Sequence, residues 1–344
     1  MSLFERLRRA AQGEVGEDVP LAARTSVRVG GSARFVVRPR DPDCLVAALG
    51  ELSNAGLGWF SLGGGANTIV GDRGVSGAVV RLSGDFVVEE IEEGGDHVVM
   101  TLGAGAPIAR FGSLAKEQRC AGVAWAAGIP GTVGGMVAMN AGTQTGCAGD
   151  HLRAVEVATP DGLRWIDAQA LKLGYRHCEL PPGAVLTRAR LHVRRGTDVE
   201  LLEQEKIAKA DVARRRQTQP LTQPNSGSVF VNPPGDYAGR LIESVGLKGK
   251  SEGGAQISEK HANFIVNAGN ATAADVVALI ALARKVVLDR HGVALQPEVR
   301  LVGDFAPPLP AELVPHHLVP THLGRSTAIP ELDPTKSSFL RVQA

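Results

Sequence analysis

Apolar residues in this chain change rhythm from helical spacing to strand-like runs and back, and the changes mark out its elements. Leu3, Leu7 and Ala10 share one face among charged positions, which predicts a short amphipathic helix and then a polar link to about residue 20. Residues 25–33 read as a turn leading into an extended run over 34–39, where Phe35, Val36 and Val37 favour a strand. Asp41-Pro42 opens a helix with Leu45, Leu49 and Leu52 on one stripe, ending near Gly56. Strands are expected over 58–62 and 79–82, a hairpin over 86–102 turning at Gly94-Gly95, and a helix from Pro107 through Arg119. A charged helix over 200–216 bridges to a third region, 218–303. There a helix starts at Thr272 with Asp275 completing a capping box, and Val276, Leu279, Ile280, Ala283 and Val287 form its core stripe. Beyond Gly303, prolines at 307, 308, 310, 315, 320, 330 and 334 predict a largely irregular segment.

This mixture of strands and helices reads as α+β. Its expected divisions are an N-terminal helix and link over 1–20, two small lobes over 21–83 and 84–196, a bridging helix with a further region over 197–303, and a tail over 304–344. Each lobe carries one Gly-rich stretch: LGGGANT at 62–68 and AGIPGTVGGMVAMNAG at 127–142. Glycine lets a ligand approach the main chain closely, so two such clamps favour a large anionic cofactor held between the lobes. A tight loop between buried strands would use the same residues. No G-x-G-x-x-G opens a strand-to-helix turn with an acidic residue downstream, which disfavours a Rossmann site.

Composition narrows the classes further. Of 344 residues, 44% are hydrophobic and 21% charged, ordinary for a globular protein and ample for more than one domain. Lys+Arg 37 against Asp+Glu 36 leaves no basic excess for neutralising a phosphate backbone, so nucleic-acid binding is not expected and an anionic ligand has to be met locally. Cys44, Cys120, Cys147 and Cys178 lie far apart without metal-ligand spacing and are expected as free or buried thiols. His316, His317 and His322 lack further ligands, and no metal is expected. The first residues lack a signal-peptide core, and no apolar run approaches the roughly 18 residues that would span a bilayer. A cytoplasmic protein, working as a monomer away from membranes, is expected.

Several residues could carry chemistry. Ser228 lies in NSGSVFVNP, a polar turn running into a short strand; most such serines are turn residues, but without a nucleophile elbow or a histidine partner its natural chemical role is proton donation. In LGYRH, Arg176 follows Tyr175 and offers a planar fork that matches a carboxylate, or equally a structural ion pair. Glu298 opens the last regular strand in QPEVRLV, followed by Arg300, and could be a plain strand-end carboxylate. Lys248 in GLKGK and the run Arg214-Arg215-Arg216 are possible phosphate contacts or solvated charge.

Taken in order, PLAARTSVRVGG, LGGGANTIV, AGIPGTVGGMVAMNAG, GYR, PNSGSVFVNP, GLKG, HANFIVN and PEVRLVG resemble the UDP-N-acetylenolpyruvoylglucosamine reductase family from about Pro20 to Gly303, in its shorter subtype with the Tyr175-Arg176 pair. The resemblance implies a two-lobed FAD-binding domain of the vanillyl-alcohol oxidase type with non-covalent FAD, and a smaller C-terminal α+β substrate domain. It implies cofactor contacts from Gly63, Gly64, Gly65, Ala66 and Asn67 and from Ile129, Pro130, Gly131, Thr132, Gly134, Gly135, Ala141 and Gly142. Tyr175, Asn232 and Lys248 fall where the family meets the UDP-sugar. Arg176 and Glu298 match the residues that hold and polarise the substrate carboxylate, and Ser228 matches the proton donor. NADPH would be the hydride source and UDP-N-acetylglucosamine enolpyruvate the acceptor, in peptidoglycan precursor synthesis.

The chain departs from the family pattern in three places. Val231 stands where the family usually has Lys, Ala66 replaces a commoner Ser, and the Pro-rich tail is additional. Val231 bears on substrate affinity and on the choice between NADPH and NADH. Two competing readings are another FAD-dependent oxidase or dehydrogenase of the same fold, and a non-catalytic flavin- or UDP-sugar-binding paralogue.

Overall fold

The computed structural model describes residues 1–313; positions 314–344, with His316, His317, His322 and four of the tail prolines, lie outside the described residues. The chain opens with helix α1 (Leu3–Ala11), where Ser2 and Glu5 form a capping box and Leu7 and Ala11 are buried. Residues 14–20, expected as a polar link, instead form strand β1 (Glu14–Pro20), antiparallel to β2 (Ser32–Arg38). Only Val15 and Val19 among its larger side chains turn partly inward, so this edge strand has almost no apolar signature. With β3 (Trp59–Ser61) and β5 (Val75–Val80) they make a four-stranded sheet in the order β1-β2-β5-β3. The strand expected at 79–82 therefore starts earlier and ends at Val80. Helix α2 (Pro42–Asn54), capped by the Asp41 carboxylate on Cys44 N, lays Leu45, Leu49 and Leu52 into the core with Phe35 and Val37.

The second lobe is an antiparallel five-stranded sheet. It comprises β6 (Glu89–Gly94), β7 (His97–Gly103), β10 (Leu152–Thr159), β11 (Gly162–Asp167) and β12 (Val185–Arg194), ordered β11-β10-β12-β7-β6. Against it pack α3 (Ile108–Glu117), the short α4 (Val133–Ala138), and the ribbon of β8 (Gly142–Thr143) and β9 (Gly146–Cys147). Met100, Phe111, Trp125, Met136 and Leu191 fill this core.

Helix α5 (Asp198–Thr218) has no fully buried residue; it rests on the second lobe through Gln204, whose amide accepts from Val123 N and donates to Cys120 O. The third region contains α6 (Ala238–Ser244), the small sheet of β13 (Ser251–Glu252), β14 (Ala255–Ile257) and β15 (Ile265–Asn267), and α7 (Ala273–His291). The Thr272–Asp275 capping box is present, and the expected stripe from Val276 to Val287 is buried. The last strand, β16 (Arg300–Val302), leaves this region and pairs in parallel with β4 (Thr68–Val70), next to the first Gly-rich stretch. It starts two residues after Glu298. The Asp72 carboxylate accepts from Ala273 N and Ala274 N, both at 2.8 Å, so the first lobe also caps α7. Phe305 and Leu313, in the segment expected to be irregular, are buried against the core of the third region. All four cysteines are free, and Cys44, Cys120 and Cys178 are buried. Among the described residues no helix is long and apolar enough to cross a membrane.

Candidate active site

The two Gly-rich stretches meet at the mouth of one long cleft of about 3610 Å³, walled by both lobes and the third region. A drug-sized ligand occupies roughly 300–1,000 Å³, so this space suits a dinucleotide together with a second nucleotide. The first stretch joins β3 to β4. A Cβ on Gly64 would lie 3.0 Å from Gly131 Cα, so the stretches touch backbone to backbone. Gly65 has φ +65°, and a Cβ there would meet Arg24 O at 2.3 Å. Gly65 O in turn accepts from Ser26 N at 3.0 Å. The amides of residues 63–67, which line the cleft, have no acceptor among the described residues and are left as donors for a ligand. Unpaired amides at a concave surface are a built anion site.

Deeper in the cleft lie Arg176 and Glu298. Arg176 sits at φ +56°, a conformation rare for non-glycine residues and held here by its surroundings. Its Nη2 donates to Gly142 O at 2.8 Å, its guanidinium lies over the Tyr175 ring, and its Nε is 3.1 Å from Glu298 Oε1. That last contact is an ion pair but not an aligned hydrogen bond, which leaves a buried Nε–H without an acceptor. Burial pushes the Glu298 carboxyl above its ordinary range, and the neighbouring Arg176 only partly offsets this. The pair thus combines a cation with a carboxyl biased towards its neutral form. Asn67 pins it to the first clamp: its Nδ2 donates to Glu298 O at 3.0 Å, and its carbonyl accepts from Arg300 N at 3.0 Å.

Ser228 lines the same cleft, half-buried, its hydroxyl without a hydrogen bond among the described residues. It precedes the buried pair Val229 and Phe230, and Val229 O accepts from Glu298 N at 2.8 Å. Proton donor candidate and carboxyl therefore hang from adjoining backbone segments.

Other expected residues are placed less directly. Tyr175 lines the cleft and is 62% exposed. Asn232 also lines it, but its Oδ1 is engaged with Ala238 N at 3.1 Å, capping α6 and leaving Nδ2 to face a ligand. Lys248 is not a lining residue. Its Nζ pairs at 2.7 Å with Glu243, which does line the cleft. Arg214, Arg215 and Arg216 reach the wall at the end of α5, and Arg215 donates to Ala127 O of the second clamp. The Val231 side chain puts an apolar group on this wall, its N–H bonded to Gln296 O at 2.9 Å.

Three supporting residues were not singled out in the sequence. Asn140 donates to Gly174 O at 2.9 Å and accepts from Gly149 N at 2.8 Å, holding the loop that carries Arg176. Arg300, given only as the neighbour of Glu298, donates to Ala138 O at 2.9 Å, and burial draws its guanidinium below its usual range. Asn263 is buried against Phe230. Each sits in a motif visible in the chain, but only its distant partner reveals its part.

The residues present fit FAD: a cleft of sufficient volume, unpaired backbone donors for a diphosphate, and two glycine-rich stretches whose backbones meet at Gly64 and Gly131. Residues 33–166 match the family model for the FAD binding domain, so fold and site define an FAD-dependent oxidoreductase with a separate substrate-side region. Residues 219–302 match the model for the UDP-N-acetylenolpyruvoylglucosamine reductase C-terminal domain. The reductase of that name from Myxococcus xanthus is 50% identical over 85% of this chain and 93% of its own length, and that from an Anaeromyxobacter species 51% identical over 87% and 92%. The crystal structure of the enzyme from Thermus caldophilus superposes with a TM-score of 0.69 at 35% identity, covering 84% of this chain and 98% of the other. The chain belongs to the UDP-N-acetylenolpyruvoylglucosamine reductase family.

Proposed function

We propose that this cleft reduces UDP-N-acetylglucosamine enolpyruvate to UDP-N-acetylmuramate at the expense of NADPH, with Arg176, Glu298 and Ser228 as its catalytic side chains. The reaction is a step of peptidoglycan precursor synthesis. FAD held in this cleft would supply the hydride-transfer chemistry that links NADPH to the methylene carbon of the enol ether. The unpaired amides of Gly63, Gly64, Gly65, Ala66 and Asn67 hold the cofactor diphosphate, and Ile129 to Thr132 with Gly134, Gly135, Ala141 and Gly142 form the opposing wall.

Hydride arrival at the methylene carbon builds negative charge on the adjacent carbon and its carboxylate. Arg176 meets that carboxylate with its fixed cation. A protonated Glu298 donates to it rather than repelling it, and its raised affinity for a proton supports that state. Ser228 then gives its hydroxyl proton to the adjacent carbon, and its lack of another hydrogen bond leaves it available. Tyr175 and Asn232 contact the UDP-sugar; Lys248 joins them by exchanging Glu243 for a phosphate oxygen. The protein acts as a monomer on this reading, and NADPH with a nucleotide-linked sugar supports a cytoplasmic reaction.

The observation that carries this reading is the half-buried Arg176–Glu298 pair, lining with Ser228 a cleft that also holds the glycine clamps. Ser228→Ala tests it: flavin reduction by NADPH should stay within about twofold of the parent, while reoxidation by the enolpyruvyl sugar should fall roughly 10²-fold or more. Unimpaired reoxidation would remove Ser228 from the chemistry.

A further inference from the structure

We infer that Asn263 is a positioning residue for this reaction, fixing the backbone that carries both the proton donor and the acidic carboxyl. The inference rests on the proposed function. Asn263 is 4% exposed at the cleft wall, and its side-chain hydrogen bonds go to Phe230 rather than to Ser228, Arg176 or Glu298. Its side-chain amide closes on a single residue, accepting from Phe230 N at 2.9 Å and donating to Phe230 O at 2.8 Å. Its own carbonyl accepts from Val229 N at 2.9 Å. On the opposite side, Val229 O accepts from Glu298 N and Val231 N donates to Gln296 O. The segment 229–231 is thus held between residues 296–298 and Asn263, which meets it with its backbone carbonyl at Val229 and its side-chain amide at Phe230.

A primary amide supplies both halves of that contact with Phe230 at any pH, one acceptor and one donor in the plane of a peptide, whereas a carboxyl does so only when protonated. Ser228 is the residue at which the clamped segment emerges into the cleft, after Gly227 at φ +77°. Releasing Phe230 frees the main chain two residues from the Ser228 hydroxyl and one residue from the carbonyl that receives Glu298 N. Misplacement of a catalytic group by about 1 Å costs on the order of 10²-fold in rate, whereas the amides of residues 63–67 and the second clamp are untouched. The effect should therefore fall on one half-reaction only.

Asn263→Asp separates the possibilities, because the near-isosteric carboxyl reproduces both hydrogen bonds when protonated and only the acceptor when ionised. The variant should bind FAD and be reduced by NADPH within about twofold of the parent. Its reoxidation by the UDP-linked enolpyruvyl sugar at saturation should fall at least tenfold at neutral pH and recover towards the parent rate as pH is lowered. Asn263→Ser, whose shorter side chain cannot span both Phe230 groups as the planar amide does and which has no group titrating in this range, should show the same selective loss without the acid recovery. Equal losses in both half-reactions, unchanged reoxidation in the Asp variant, or failure of both variants to bind flavin would overturn the inference and leave Asn263 a residue of the fold. If the parent protein itself is not reoxidised by the sugar, the proposed function fails instead, and the two failures are distinguishable.

Discussion

Glu298 is where burial and charge oppose each other most directly. Its side chain is only 16% exposed, and desolvation outweighs the Arg176 cation 3.1 Å away, so its proton affinity rises on folding. The sign of the pH effect follows. Between the ordinary value of 4.5 and the higher folded value, the folded chain holds more protons than the unfolded one. The stability contributed by neutral Glu298 is therefore complete below the unfolded value and is lost as pH rises through the folded value. Thermal melts of the flavin-free protein should show Glu298→Gln gaining stability relative to the parent as pH rises through that window; a constant difference would mean the carboxyl is not perturbed. Ser228, Arg176 and Glu298 were each visible in the sequence as chemistry-bearing residues with bland alternatives. What the sequence could not show was their assembly. The Glu298 N–H meets Val229 O, and Asn67 reaches Glu298 across 231 positions of the chain. No periodicity encodes such contacts.

At the scale of elements, local signals were reliable wherever local physics decided the outcome. Asp41 with Pro42 starts α2, and Thr272 with Asp275 starts α7, each through a hydrogen bond within the first turn. Strand β1 escaped because an edge strand with two half-buried valines draws its order from pairing with β2 rather than from its own pattern. Strand β16 was expected, but its return to β4 was not, since parallel pairing over more than two hundred residues leaves no local trace. The clamps also give an element-level test. Gly65→Ala forces a side chain into the left-handed region and against Arg24 O, and should cost about 1–3 kcal/mol and weaken FAD binding. Gly112→Ala, within α3 where a Cβ meets nothing within 4 Å, should instead stabilise the chain by about 0.5–1 kcal/mol. Chemical denaturation with flavin titration would measure both, and equal effects would contradict the clamp.

Across the whole molecule, the third region is tied to the first lobe by β16 on β4, by Asp72 on the start of α7, by Asn67 and Asn267 across the boundary, and by a core shared with Val27, Val29 and Ile69. It meets the second lobe through α5, whose residues are nowhere fully buried, and directly through Arg300 on Ala138 O and the Arg176–Glu298 pair. The cleft is therefore built between a continuous unit of first lobe and third region on one side and the second lobe on the other. Both glycine clamps and all three catalytic candidates line it. That arrangement brings a flavin and a nucleotide-linked acceptor into one space, and the central claim is that electrons pass between them there. The direct test is the visible absorption of the FAD-loaded protein, followed without oxygen as NADPH and then UDP-N-acetylglucosamine enolpyruvate are added. The account predicts a flavin spectrum that bleaches with NADPH and returns in stoichiometric amount with the sugar. Bleaching without return would contradict the assigned acceptor, and a protein that takes up no flavin would contradict the site itself.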